Sequence, residues 1–130
     1  MTATVFCRTV PPGMVVEVAG EIDPESAPAL TSELRRAIDT MGPQQSVGGS
    51  RRDTTPSPVL VLDLSHVDFM DSTGLHLLLA VKSWCEEAGA SLRVAAVHGA
   101  PARVLSVCAF DRLIDIVPTS ESALETTRAG

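Results

Sequence analysis

Asp71-Ser72-Thr73-Gly74-Leu75 sets two adjacent hydroxyls just ahead of an apolar-periodic segment, Leu75 to Trp84, that reads as a helix. Hydroxyls at a helix start can cap it, because four backbone N–H groups there lack an internal acceptor. They can also carry phosphate: the macrodipole leaves about half a positive charge at that end, which tolerates an anion. A phosphate on Ser72 or Thr73 would add roughly −1.5 to −2 charges to a surface that already holds Asp68 and Asp71, and would repel a docked partner. A third possibility is nucleophilic catalysis. The Gly-x-Ser-x-Gly elbow is absent, however, because Asp71 stands where its first glycine would precede Thr73. His66 is close in sequence but reads as a surface residue of a strand-to-helix loop, so no base is evident. There is no Gly-Lys-Ser/Thr phosphate loop, since the sole lysine, Lys82, falls mid-helix, and no dinucleotide fingerprint.

The elements that position this motif follow from the flanking pattern. Residues 59–64 are apolar without alternation apart from Asp63, as in a strand buried on both faces at the centre of a sheet, and a short polar turn follows. The helix should run from Thr73 to about Ala88 with Gly89 as its C′ residue, and residues 91–97 supply the next strand. Strand, helix and strand at this spacing make a right-handed crossover with parallel strands. Open α/β sheets gather ligands and partners at the carboxyl ends of their strands, which is where residues 68–74 fall.

Upstream, residues 4–9 and 14–19 are short β-branched runs joined as a hairpin at Pro11-Pro12-Gly13. Asp23 can cap a helix with Pro24 at its first position, extending to Met41 and burying Ala27, Leu30, Leu34, Ala37, Ile38 and Met41. Residues 42–58 are rich in Gly, Pro and Ser, with Val47 as the one large apolar residue, and are expected to form a flexible inserted loop. Its Arg51-Arg52 pair serves solubility more readily than recognition. Downstream, residues 101–109 read as a helix with Val104, Leu105 and Cys108 facing inward. Residues 113–117 read as an edge strand and residues 120–128 as a terminal helix capped by Ser120 and anchored by Leu124. The expected class is α/β: a mostly parallel four- to five-stranded sheet with an antiparallel N-terminal strand and about four helices, in a single domain spanning 1–130.

Composition narrows the function. The net charge of −6 is scattered and no basic run exists, which argues against nucleic acid and anionic membrane as partners. Three Phe, one Trp and no Tyr leave no stacking platform for single strands. Apolar stretches fall short of the roughly 20 residues of a membrane span, and no leader pattern precedes them, so a soluble cytoplasmic protein is expected. Cys7, Cys85 and Cys108 are far apart in core-like segments, which fits buried free thiols rather than disulfides or a metal cluster. His66, His76 and His98 lack metal-ligand spacing, so neither a metal nor another cofactor is expected.

The stretch Val61-Leu62-Asp63-Leu64-Ser65-His66-Val67-Asp68-Phe69-Met70-Asp71-Ser72-Thr73-Gly74-Leu75 resembles the strand, turn and phosphorylation-site helix of STAS domains, in particular the single-domain anti-sigma factor antagonists of bacteria. Gly20-Glu21-Ile22-Asp23 is similar to that family's loop after the second strand, and Ala100-Pro101-Ala102-Arg103-Val104-Leu105 leading to Phe110-Asp111-Arg112-Leu113 extends the likeness. The resemblance implies a protein that is not an enzyme. Unphosphorylated, such a protein binds an anti-sigma factor serine/threonine kinase and frees a sigma factor; phosphorylation ends the complex and a protein phosphatase resets it. The family's phosphoacceptor is the hydroxyl residue before the glycine, here Thr73, with Ser72 as second choice. Partner binding is implied for Asp23, Asp68, Asp71, Ser72, Thr73 and Gly74, with capping of the helix the alternative role of Asp71. The kinase would supply ATP and Mg²⁺, because this chain has no phosphate cradle. The acceptor is usually serine, and threonine's methyl stiffens χ1. A STAS module that senses a nucleotide or other small ligand at the same helix start, a non-switching scaffold component, and a hydrolase using Ser72 or Thr73 are the other readings.

Overall fold

The computed structural model describes residues 3–10, 13–41 and 58–119. Five strands form one sheet in sequence order: β1 (Ala3–Val10), β2 (Gly13–Ile22), β3 (Val59–Met70), β4 (Ser91–Ala95) and β5 (Asp115–Val117). β1 is antiparallel to β2, and every other neighbour pair is parallel. The sheet is therefore five-stranded with an antiparallel first strand, and β3 is its central strand, as the apolar run at 59–64 predicts. Among the described residues three helices accompany it: α1 (Ala27–Met41), α2 (Ser72–Glu87) and α3 (Gly99–Val107); a 3-10 turn, Phe110–Arg112, follows α3. Residues 42–57 of the expected loop at 42–58, and the expected terminal helix at 120–128, lie outside the described residues.

Side-chain alternation splits the sheet into two faces. Met14, Val16 and Val18 of β2 and Leu60, Leu62 and Leu64 of β3 join the helices in the main core. Val15, Val59, Val61 and Ala95 form a smaller buried cluster on the opposite face. α1 contributes Leu30, Leu34, Ala37, Ile38 and Met41 to the main core at helical spacing. Each fully buried Leu or Ile contributes about 1.5 to 3 kcal/mol relative to exposure. Arg35 of α1 lies over the Trp84 ring of α2, 5.0 Å from its centroid, and joins the two helices at their outer edge.

Several boundaries differ from the sequence-based expectation. α1 starts at Ala27 rather than Pro24, because residues 24–26 form a turn that Asp23 and Ser26 hold by side-chain hydrogen bonds. β3 does not end in a polar turn at Ser65; it runs on to Met70 along β2. Two register shifts make this possible, since Leu64 and Ser65 together face Val18, and Asp68 is an extra residue between Val67 and Phe69. β4 stops at Ala95 and α3 starts earlier than expected, at Gly99. Of the three thiols expected to be buried only Cys85 is; Cys7 and Cys108 are exposed. Cys108 misses the core because α3 ends at Val107, which puts it on a turn instead of the helix's inner face.

Candidate functional site

The site is built where β2 and β3 end and α2 begins. Asp71 has extended backbone geometry and is the N-cap of α2: its Oδ1 accepts from the Thr73 N–H at 2.9 Å. The Gly74 N–H donates to the Asp71 carbonyl at 2.9 Å, and the Asp71 N–H donates to the Ile22 carbonyl at 3.4 Å. The capping acceptor is therefore the carboxylate, and the two hydroxyl residues occupy the first helical turn, Ser72 exposed and Thr73 half-buried. Gly74 is buried. A Cβ there would stand 2.1 Å from Met70 Cγ, 2.6 Å from its Sδ and 3.3 Å from Ile22 Cγ2, so the glycine lets the helix start settle onto the ends of both strands.

Asp23 directly follows Ile22, so the bond from Asp71 to Ile22 brings the two aspartates' backbones to one place. Asp23 Oδ1 accepts from the Ser26 N–H at 2.9 Å and the Glu25 N–H at 3.0 Å, and these bonds, the Ser26 amide first, hold its carboxyl below the usual carboxylate range. Ser26 is itself buried; its hydroxyl donates to the Glu21 carbonyl at 2.7 Å and accepts from the Asp23 N–H at 3.1 Å. Asp68, the extra residue of the second register shift, is exposed at the same end of the sheet. The sequence-derived residues Asp23, Asp68, Asp71, Ser72, Thr73 and Gly74 all lie on the closing segments of β2 and β3 and the opening of α2.

Three further residues were not singled out from sequence. Ser26 orders the Asp23 turn, and its signal is a serine three positions after an aspartate. His98 Nε2 donates to the Ser65 carbonyl at 2.7 Å, fastening the start of α3 to β3 where β4 no longer pairs with it. Phe69 is 43% exposed beside exposed Asp68. Regular alternation would bury one of two consecutive residues, and the shift at Asp68 turns both outward. His66 Nδ1 is 3.2 Å from Ser65 Oγ and His98 Nε2 is on the Ser65 carbonyl; His76, one turn along α2 from Ser72, is exposed, and among the described residues no histidine hydrogen-bonds Ser72 or Thr73, as a base activating either hydroxyl would. Among the described residues no group of three or more His, Cys, Asp or Glu is placed to hold a metal ion, and no helix is long and apolar enough to cross a membrane.

The family model described as the STAS domain matches residues 7–123. The anti-sigma-F factor antagonist RsfA of Mycobacterium tuberculosis is 32% identical over 74 residues. That stretch is 57% of this chain and 57% of that relative, so the match spans little more than half of either. Among solved structures, an anti-sigma factor antagonist from Mycobacterium paratuberculosis superposes with a TM-score of 0.77 at 28% identity, covering 97% of this chain and 94% of that one. The anti-sigma factor antagonist SpoIIAA in its unphosphorylated form gives 0.62 at 16% identity over 96% and 98%, a likeness of fold alone.

Proposed function

The chain belongs to the STAS domain family, and from that premise we propose that it is an anti-sigma factor antagonist switched by phosphorylation at Thr73. In its unphosphorylated form it binds an anti-sigma factor that is also a serine/threonine kinase, and a sigma factor is released. Phosphate on Thr73 ends that complex, and a protein phosphatase restores the binding form. The protein acts in the cytoplasm as a binding partner rather than an enzyme, and ATP and Mg²⁺ belong to the kinase.

The observation that carries this reading is the division of labour at the start of α2. Asp71 does the capping, so neither Ser72 nor Thr73 is needed as the acceptor for the helix's amides. A phosphate on Thr73 sits in the first helical turn, where the macrodipole favours negative charge, so the helix tolerates it. Its roughly −1.5 to −2 charges fall among Asp23, Asp68 and Asp71, and a partner that had matched those carboxylates and the apolar face of Phe69 is displaced. Ser72 is the second choice of acceptor.

Incubation of the chain with each anti-sigma factor kinase of its source organism and ATP, followed by mass-spectrometric mapping, tests the site. Phosphate on Thr73 and its loss in Thr73→Ala are expected. A Thr73→Ala chain labelled as fully as the parent would refute the assignment. Nucleotide retained by the chain without any transfer would instead favour the ligand-sensing alternative.

A further inference from the structure

β1 is the outermost strand: β2 pairs with one of its edges, and among the described residues nothing pairs with the other. Only Pro11 and Pro12 separate Val10 from Gly13, so that pair must be the doubly hydrogen-bonded kind. In the other kind the bonds would join the residues flanking the pair, and on the turn side those are covalent neighbours. Alternation then aims the N–H and C=O groups of Thr4, Phe6 and Arg8 at β2, and those of Ala3, Val5, Cys7 and Thr9 at the open edge. The register of β1 is regular, it contains no interior proline, and its one charge, Arg8, lies 3.7 Å from Glu17 of β2. Among the described residues β1 therefore has no bulge, no interior proline and no unpartnered charge to keep its open edge from pairing.

We infer that β1 is a self-association edge, on which a second copy of this chain adds antiparallel about a two-fold axis at Phe6. The positions of the outward groups select the register. Only one two-fold arrangement sets all four outward residues against outward residues: Ala3 opposite the partner's Thr9, and Val5 opposite the partner's Cys7, each twice. Phe6 then faces the partner's Phe6 in the non-hydrogen-bonded position, where Cα atoms approach to about 4.5 Å and side chains are closest. Phe6 is 71% exposed on the face it shares with Glu17, opposite the helices, so the aromatic pair would cover surface that is otherwise in water. On the helix side the same register brings the partner's Cys7 and Thr9 to the mouth of an open cleft of about 250 Å³ lined by Ala3, Thr4, Val5, Ala29, Leu30 and Glu33. Main-chain bonds supply the affinity and the phenylalanine pair the register. This surface does not involve residues 68–74 and does not depend on the reading of that site.

Sedimentation velocity of the full chain from about 1 μM to about 1 mM tests it. A reversible monomer–dimer equilibrium is expected, weakened at least about tenfold by Phe6→Lys, which faces two cations across the axis. Cys7→Pro should weaken it comparably: it removes an outward N–H and leaves the ladder to β2 intact. Circular dichroism of both variants should match the parent; should Cys7→Pro unfold, Phe6→Lys carries the test alone, since its side chain is on the surface. In a Cys7→Ser/Cys108→Ser chain, Phe6→Cys should form an intermolecular disulfide on mild oxidation and Thr4→Cys should not. A parent that stays monomeric to about 1 mM, a dimer indifferent to Phe6→Lys, or Thr4→Cys cross-linking as readily as Phe6→Cys would each overturn the inference.

Discussion

The Asp71 amide donates to the Ile22 carbonyl at 3.4 Å, and this one bond closes the end of β2 onto the start of α2. On the far side of Ile22 stands Asp23, held by Ser26 and Glu25 amides; on the far side of Asp71 stand Ser72 and Thr73. Two segments separated by more than a third of the chain are thus fixed to each other through backbone, and side-chain charge on one is presented together with hydroxyls on the other. A rigid presentation of this kind suits a surface that has to be read by a partner and altered by one added group.

Gly74→Ala should destabilise the fold. The new methyl would meet Met70, whose side chain is buried and has no solvent to move into, and would press on Ile22. Overpacking of this kind costs about 1 to 3 kcal/mol, more than the helix-propensity gain of up to about 1 kcal/mol from losing a glycine. A lower urea midpoint with unchanged slope is expected, and Met70→Ala in the same chain should recover part of the loss relative to the sum of the single changes.

Asp71 has two separable duties, a capping acceptor and a negative charge. Asp71→Ala removes both and should cost about 1 kcal/mol, about 4 °C in thermal midpoint for a chain of this size. Asp71→Asn keeps an oxygen for the Thr73 amide and should lose little stability. If the charge also meets the partner, the asparagine variant binds the anti-sigma factor more weakly while melting near the parent; equal binding by both would confine Asp71 to capping.

Which parts of this were legible in sequence follows from how local each signal is. The centre of β3, the period of α1 and the capping chemistry at Asp71 are written in runs of neighbouring residues, and the parallel pairing of β3 and β4 follows from strand-helix-strand spacing. The extension of β3 through Ser65, His66 and Asp68 was not, because those polar residues are kept in the strand by β2 and two register shifts, which are tertiary facts. Phe69 was missed for the same reason: its exposure comes from the shift at Asp68, not from its own surroundings. Ser26 hides its hydroxyl beneath the Asp23 turn, and Asp23-Pro24 reads locally as a helix start although α1 begins three residues later, at Ala27.

Burial, and to a smaller degree Glu86, pushes the Cys85 thiol up to about 12, against 9.0 for the free group. The raised value means the folded state holds its proton where the unfolded chain has lost it. Its contribution to stability is complete below pH 9.0 and is lost as pH rises toward about 12. Denaturant midpoints measured from pH 8 upward should decline over that window, and Cys85→Ala should flatten the decline. At pH 8 Cys108 should react with a thiol reagent in the native protein and Cys7 only slowly, because partial burial and then Glu33 push its thiol up, while Cys85 should need denaturant.

Thr73→Glu separates charge from shape at the proposed switch. The helix start tolerates an anion, so this variant should melt within about 0.5 kcal/mol of the parent. Toward the anti-sigma factor it should bind more weakly, by less than phosphothreonine does, because Glu carries one charge against roughly two. Thr73→Ser keeps the hydroxyl, drops the methyl and frees χ1, so it should be phosphorylated at least as fast as the parent. Thr73→Val keeps the branched shape without a hydroxyl: it should bind the partner in the presence of ATP as well as in its absence, whereas the parent's complex decays as phosphate accumulates. A Thr73→Val complex that decays with ATP at the parent's rate would move the acceptor to Ser72, and Ser72→Ala in the same assay would then have to abolish the decay.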